Sequence, residues 1–428
     1  MDVNKIRIVH YPSYARAFSC KLGACRRTCC THRDWNIGMS GVELDSAKSL
    51  ANAAKDSVPW NIAENLRALK TNGEANAADG GGNSAYISLP SREDGLCALI
   101  SNDGTCGWRN AMGADLCAIC HDFPTMGVRF GSDEWRFPSG ACEAVLETFL
   151  EDGPIKLLNE TPKTSNELNE KECSHYKLDF SENDLEANPL FKHYEAFAQL
   201  GVNVLQSEKY PLDVRVGMLA TSLNMASRLA EAGQLASLDA SLRETAKPQR
   251  LDALAQSVQA SSVGPNPATR LCGNALASCA TSQAYGHMVR NALDGLGLAL
   301  RNAPHRPIIS IADADKLAAA QATMQCYVRG KSEFLARTIT SVYLHGLVPL
   351  AGPNIWSCTK YFVLCYALMK FCIAGSLSSL QNDDDLIDLL VAVLRAFAHN
   401  EGFYKNEVRW MSQAGFNDID DVVRLACW

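Results

Sequence analysis

Four sulfurs fall within eleven residues near the start of the chain, at Cys20, Cys25, Cys29 and Cys30, with Gly23 available to bend the segment. A stretch this short can fold several thiolates around one centre. Thiolates are soft ligands and select zinc, copper(I) or iron–sulfur clusters over hard cations such as magnesium. Cys97, Cys106, Cys117, Cys120 and Cys142 follow, so nine of the 17 cysteines lie in the first 142 residues. The plain alternative is that cysteine acts as a small buried hydrophobe. That suits scattered cysteines, but it does not explain an adjacent pair with two more just upstream. An odd total also prevents complete disulfide pairing within one chain. The N-terminal third therefore reads as a metal or cluster site, and the remainder as scaffold and substrate surface.

Other groups near the first cysteines bear on that chemistry. Lys21, Arg26, Arg27 and Arg33 surround them. Positive charge favours the ligating thiolate, although a solvated basic face is an equal reading. Trp35 is placed to cover the site and exclude water. The later cysteines are simpler: Cys358, Cys365 and Cys372 are seven apart, as are Cys272 and Cys279, so each set lies along one helix face and reads as packing.

The elements that must position these residues follow from pattern. Ile6, Ile8 and Val9 suggest an opening strand, and helices are expected over 43–54 and 61–70. The polar stretch 71–84 contains Gly80-Gly81-Gly82 but no Gly-Lys-Ser/Thr end, so it is a loop and not a phosphate cradle. Cys117 and Cys120 are three apart, on one face of a short helix stopped near Pro124. Val128–Phe130 and Trp135–Phe137 alternate around Gly131-Ser132, which predicts a hairpin. Cys142 then opens a helix over 143–151. Residues 151–188 carry ten acidic and four basic residues with few apolar ones, and read as an acidic linker.

Beyond it the pattern is helical. Met218, Leu219, Leu223, Ala226 and Leu229 keep helical spacing, with Gly233 placed to close the helix. Asp313 or Asp315 can cap a helix over 318–327. Leu386, Leu389, Leu390, Val393, Leu394 and Phe397 form one stripe after the acidic start Asp383-Asp384-Asp385, as the helix dipole favours. The fold class expected is mainly α: a small irregular cysteine-rich metal or cluster domain over 1–150, the linker, and an α-helical substrate-recognition domain over 189–428.

At 428 residues the chain can bury a sizeable core, and its net charge of −7 argues against nucleic-acid binding, which needs basic surface. The apolar segment 361–377 contains Lys370 and is too short in its unbroken parts for a span, so it is expected as a buried helix and no membrane is expected. No apolar stretch follows the first residues as in a secretory signal, so a cytoplasmic location is expected, where disulfides are rare.

The order Cys-x4-Cys-x3-Cys-Cys…Trp, then Gly-Leu-Cys, then Cys-x-x-Phe-Pro, then Gly-x-Cys-Glu-Ala resembles the flagellin lysine-N-methylase (FliB) family, which belongs with the wider CxxCxxCC group of zinc- or iron-chelating proteins. The matching positions are Phe18, Cys20, Cys25, Thr28, Cys29, Cys30, Trp35, Gly95, Leu96, Cys97, Gly113, Leu116, Cys120, Phe123, Pro124, Cys142, Glu143 and Ala144. They cover residues 5–150 well and the helical half weakly. The chain departs from the family at Arg26-Arg27, where acidic residues are usual, and at His121 and Thr125, where the family has arginines. Cys106 and Cys117 look like extras.

The resemblance implies an S-adenosyl-L-methionine-dependent protein-lysine N-methyltransferase with a 4Fe-4S cluster, acting on a lysine of flagellin. It implies Cys20, Cys25, Cys29, Cys30, Cys97, Cys120 and Cys142 as the metal and cofactor residues. Seven exceeds the four thiolates of one cluster, so either some support the site or two metals are bound. Cys25 and Cys29 fit the first gap of the radical-type Cys-x3-Cys-x2-Cys, but His32 stands in the third place. No strand–Gly-x-Gly-x-x-Gly–helix unit supports a Rossmann-type methyltransferase. Methylating lysine requires removal of its proton, for which His32, His121 and Asp122 are the candidates by sequence. The alternative is a non-catalytic zinc- or iron-binding protein whose helical half is an interaction module; a structural zinc site would be closed by four ligands.

Overall fold

The computed structural model describes residues 8–21, 24–31, 38–53, 64, 66, 87–89, 91–101, 103–113, 115–151, 153–161, 176–263, 268–280, 282, 285–302, 307–413 and 415–428. His32, Arg33, Trp35, the loop over 71–84 and Cys173 lie outside them, as does the helix expected over 61–70 apart from Glu64 and Leu66, both helical.

Strand β1 (Ile8–Pro12) leads into the single turn α1 (Tyr14–Ala17). After the first cysteine segment come β2 (Gly38–Met39), α2 (Gly41–Ala53) and β3 (Ile87–Ser88), which pairs with β2. Two short helices, α3 (Gly107–Met112) and α4 (Ala118–Asp122), precede the hairpin β4 (Thr125–Phe130) and β5 (Asp133–Pro138), followed by α5 (Glu143–Glu151). Then come β6 (Leu157–Glu160), β7 (Tyr176–Phe180) and α6 (Glu182–Ala187).

The remainder is helical. It begins with α7 (Tyr194–Leu205), α8 (Leu212–Glu231), α9 (Leu238–Thr245), α10 (Pro248–Ser261), α11 (Ala268–Cys279) and α12 (Gly286–Gly295). The ribbon of β8 (Leu298–Arg301) and β9 (Ile308–Ile311) intervenes. It continues with α13 (Ala314–Gly330), α14 (Ser332–His345), α15 (Ile355–Ser376), α16 (Asp383–Val393), a π-helical turn (Leu394–Ala398), α17 (Glu401–Gln413) and α18 (Ile419–Ala426). The ribbon has no counterpart in the sequence expectation.

Five strands form one mixed sheet in the order β6-β1-β5-β4-β7. The expected β4–β5 hairpin is its centre, and Gly131 turns it at φ +62°, a conformation that favours glycine. β1 lies parallel to β5, with Ile8 opposite Asp133, and β6 and β7 close the two edges. Residues 151–188, expected as an acidic linker, thus supply both edge strands and α6. One of their described charges, Asp179, sits where an edge meets solvent, in a two-pronged pair with Arg129 at 2.6 Å between β4 and β7.

The helix signals read from sequence hold locally. Gly233, at φ +72°, ends α8 with Gln234 N–H bonded back to Leu229 O at 2.9 Å. Asp313 caps α13 by accepting from Lys316 N–H at 2.9 Å. At α16 the cap is Asn382, which exchanges bonds with Asp385 as a capping box.

One main core runs from Tyr14 and the sheet through α5 to Trp428, with Phe137, Phe149, Phe197 and Phe371 fully enclosed. A smaller core of Met39, Leu44, Leu99, Trp108 and Leu116 lies under the intervening N-terminal segment. The sheet and α5 pack against the helices within that main core. Helix α15 is long and apolar enough to cross a membrane by length and composition, yet it is the central helix of the core, packed against α8, α12, α13, α16 and α18. Its Gly375 meets Gly295 of α12 so closely that a Cβ on Gly295 would lie 1.8 Å from the Gly375 carbonyl oxygen.

Candidate functional site

The Cys20–Cys30 segment is fastened to α5 by a buried carboxylate. Glu143, the first residue of α5, has a fully enclosed side chain that accepts from Lys21 Nζ at 3.1 Å and from the Arg27 N–H at 2.9 Å. Arg26 Nη1 approaches at 3.6 Å. A buried charge is tolerable when it is paired and hydrogen-bonded in this way. Lys21 also reaches Glu147, and Arg26 Nε reaches Asp388 of α16 at 3.1 Å. The basic residues that sequence left between thiol activation and a solvated face are therefore, for Lys21 and Arg26, partners of acidic side chains on α5 and α16.

A second clamp comes from the far end of the chain. Arg395, buried in the π-helical turn, donates to the carbonyls of Arg27 at 2.9 Å, Thr28 at 3.1 Å and Ala141 at 3.1 Å. Just past the turn, His399 Nε2 meets Ser139 Oγ at 2.6 Å, and that oxygen accepts from Ala141 N–H at 3.0 Å. The turn thus fixes the cysteine loop and the 139–142 corner together. Turns of this type recur at functional sites.

The cysteines sort into two neighbouring groups. In the first, Cys142 precedes α5, and the amides of Val145 and Ala144 favour its thiolate. Burial outweighs them and pushes the thiol up to about 11, with the nearby charges of Cys29 and Cys20 adding. Cys25 is pushed up to about 12 by burial, then by Glu143, Cys142 and Cys29. Cys29 is held below the usual thiol range chiefly by a hydrogen bond from Cys30, assisted by the Arg395 charge and by amides.

Cys30 opens the second group. Its carbonyl accepts from Cys97 N–H at 3.1 Å, alongside a bridge between Thr31 and Leu96. Its thiol is raised by its bond to Cys29, by burial, and by Cys97 and Cys106. Burial pushes Cys97 up to about 11, with Cys106 and Cys117 nearby. The Cys117 and Cys120 sulfurs stand 3.4 Å apart. Cys117 is lowered by the bond from Cys120 first, while Cys120 is raised chiefly by the same bond and further by Cys117, Cys30 and Cys97. Cys106 and Cys117, read as extras from sequence, belong here. The Cys-x-x-Cys spacing was the available signal for Cys117; nothing in the sequence pointed to Arg395.

None of the sixteen described cysteines is in a disulfide. Amides face the sulfurs of Cys29, Cys97, Cys117 and Cys142, and hydrogen bonding of that kind stabilises ligating thiolates. A single tetrahedral zinc ion, with Zn–S near 2.3 Å, needs sulfurs about 3.8 Å apart. The Cys117–Cys120 pair approaches one such edge. Among the described residues, however, no group of three or more Cys, His, Asp and Glu side chains is arranged to hold a metal ion as it stands. A 4Fe-4S cluster brings its own iron and sulfide, so its thiolates bind separate irons and stand farther apart than ligands of one ion.

Of the nine N-terminal cysteines, Cys20 and Cys120 are the exposed ones. They belong to different groups, yet both line one cleft of about 610 Å³ between β1, α4 and β5. That volume suits a ligand of cofactor size. The walls also carry Arg16, Arg109, Arg136, His121 and Asp122. His121 Nδ1 lies 2.8 Å from Asp122 Oδ1, an arrangement that orients an imidazole and leaves its other nitrogen as a proton acceptor. The cleft therefore combines thiols, guanidinium groups suited to a carboxylate, and an imidazole beside a carboxylate.

Residues 199–425 match the family model of the FliB lysine N-methylase C-terminal domain. No curated protein and no solved structure matches the chain.

Proposed function

The chain belongs to the FliB lysine N-methylase family, and on that premise we propose that it is a cytoplasmic methyltransferase that uses S-adenosyl-L-methionine and an iron–sulfur cluster to methylate lysine side chains of flagellin. Family membership implies a methylase. The observation that carries the finer reading is the cleft into which the two exposed cysteines, Cys20 and Cys120, both open, beside His121 and Asp122. Cys20, Cys25, Cys29, Cys30, Cys97, Cys120 and Cys142 are the proposed ligand positions. When bound there, a 4Fe-4S cluster supplies iron able to hold the amino and carboxylate groups of the methyl donor.

The chain's own residues do the rest. Arg16 and Arg136 present guanidinium groups to the cleft; each is paired, Arg16 Nε with Tyr11 Oη at 3.0 Å and Arg136 Nε with Glu134 at 2.7 Å, which fixes their orientation. His121 takes the proton from the lysine ammonium, and the freed nitrogen pair forms the new bond to carbon while the sulfonium sulfur keeps the pair of the bond that breaks. Asp122 stabilises the resulting imidazolium.

His121→Ala is expected to lower kcat about 100-fold, the lower end of general-base effects, with bound iron unchanged. Mass spectrometry of flagellin incubated with the anaerobically purified protein reads the added methyl mass. Unchanged kcat in the variant would remove His121 from the reaction. Unmodified flagellin with active, iron-loaded protein would remove flagellin as the acceptor.

A further inference from the structure

We propose that Cys117 and Cys120 form a redox-active dithiol, which closes to a disulfide by exchange with an anionic low-molecular-weight disulfide entering the cleft between β1, α4 and β5. This goes beyond the methylase reading and does not depend on it.

The geometry of the pair comes first. The two sulfurs stand 3.4 Å apart, in contact and within thiol hydrogen-bond distance. A disulfide needs about 2.05 Å, so the side chains have to close by roughly 1.4 Å between them, which small χ1 rotations supply. The backbone is already in place. Cys117 is the extended residue that precedes α4, and its carbonyl accepts from the N–H groups of Cys120 at 3.0 Å and His121 at 3.1 Å. The ring that the bond would close is a turn already held by its own hydrogen bonds. Cys29 and Cys30 also share a thiol hydrogen bond. They are adjacent, however, and a disulfide between neighbours encloses one peptide unit in a tight, strained ring.

Access comes second. Cys120 is exposed on the cleft wall, while Cys117 is 6% exposed and belongs to the small N-terminal core. One sulfur meets the reagent and the other stands directly behind it, the arrangement of an attacking and a resolving thiol. The cleft walls also carry Arg16, Arg109 and Arg136. Guanidinium groups favour carboxylates, so a small disulfide bearing carboxylates, of the glutathione type, is the oxidant that the cleft suits.

The exchange has two steps. The Cys120 sulfur attacks one sulfur of the small disulfide, gives up its proton to solvent, and expels the first small thiolate. The Cys117 sulfur then attacks Cys120 in that mixed disulfide and expels the second. The protein loses two protons and two electrons, and the small disulfide gains them as two thiols. A sulfur held in the new bond is not free to ligate, so oxidation withdraws Cys120 from the ligand positions proposed above and reduction returns it.

The test uses the full chain, reduced and freed of metal with a chelator. It is equilibrated without oxygen against mixtures of reduced and oxidised glutathione, unfolded in an alkylating reagent, and mapped by mass spectrometry. One two-electron transition is expected, in which Cys117 and Cys120 lose their alkylatable thiols together and the peptide carrying both becomes two hydrogens lighter. Cys25, Cys97 and Cys142 should stay alkylated. Cys117→Ser should halt the reaction at a stable mixed disulfide between Cys120 and glutathione, and Cys120→Ser should leave Cys117 reduced. Both thiols still free when the glutathione is almost wholly oxidised, or Cys120 joined to Cys30 or Cys97 instead, would overturn the proposal. Should a variant fold poorly, the wild-type map still decides. Flagellin methylation and iron content are read on separate samples, so the dithiol and the methylase reading stand or fall apart.

Discussion

Replacing Arg395 by methionine is expected to abolish or greatly reduce iron binding while leaving most of the helical structure in place. The guanidinium holds the cysteine loop to the C-terminal half from the buried side, as the Arg26–Asp388 pair does from the exposed side, and its three acceptors, the carbonyls of Arg27, Thr28 and Ala141, flank Cys29 and Cys142. Methionine keeps an unbranched apolar stem but is shorter and donates no hydrogen bond. The buried Ala141 carbonyl costs about 1–3 kcal/mol when left without a donor, and the part-buried Arg27 and Thr28 carbonyls cost less because water can reach them. The loop can recover that cost by lifting into water, so the damage should appear as a detached loop and not as global unfolding. Cys29 also loses the positive charge that helps hold its thiol low. Lysine is not an adequate replacement, since its shorter side chain lacks the planar fork whose three nitrogens each reach a different carbonyl, and Arg395→Lys should bind iron only in part. Iron content, the helical circular-dichroism signal and the alkylation rates of Cys25 and Cys29 in metal-free protein check this together. Full iron loading and unchanged alkylation in Arg395→Met would show that the loop holds itself.

Much of this architecture is written in local pattern, and what escaped is non-local. The β4–β5 hairpin, the Gly233 stop and the Asp313 cap each depend on residues within a few positions of one another, so spacing alone reveals them. The sheet does not. β1 pairs with β5 and β6, and β4 with β7, across long loops, and nothing in the five residues of β1 names those partners. The acidic character of 151–188 reads as a linker because edge strands facing water share the composition of loops. The cysteines show the same divide. Their density shows that the N-terminal third gathers sulfur, but which sulfur faces which depends on Cys30 pairing with Cys97 and on Cys142 meeting the loop at Glu143. Arg395 was invisible for the strongest version of that reason: it acts on backbone carbonyls of residues far away in sequence, a role that any arginine in a helix could hold and that no motif announces.

Lys370→Met is expected to cost stability without touching the cysteine loop, which makes it the counterpart of the Arg395 variant. Lys370 has no exposed side-chain surface, and it sits in the middle of α15. Its ammonium donates to Asp213 Oδ1 of α8 at 2.8 Å and to the carbonyls of Ala426 and Trp428 at 2.8 and 2.7 Å, so all three donors are used. Tyr366 donates to the same Asp213 oxygen at 2.5 Å. Methionine fills similar volume but leaves two carbonyls unpaired and the carboxylate without its cation. Breaking a buried pair on one side costs about 3–5 kcal/mol; because Asp213 keeps 29% of its side-chain surface in water, the lower end is expected. Replacing both partners, Lys370→Met with Asp213→Leu, should recover part of the loss, since a packed apolar pair often matches a buried ionic one. Denaturant unfolding of the two single variants and the double measures the coupling, and a Lys370→Met loss below about 1 kcal/mol would contradict the account. Below its unfolding transition the variant should still take up the full complement of iron, because α16 and the Arg395 turn remain packed on α15 through apolar contacts. A protein that lost iron in step with Lys370 would instead mean that this buried pair, and not the Arg395 clamp, sets the geometry of the cysteine loop.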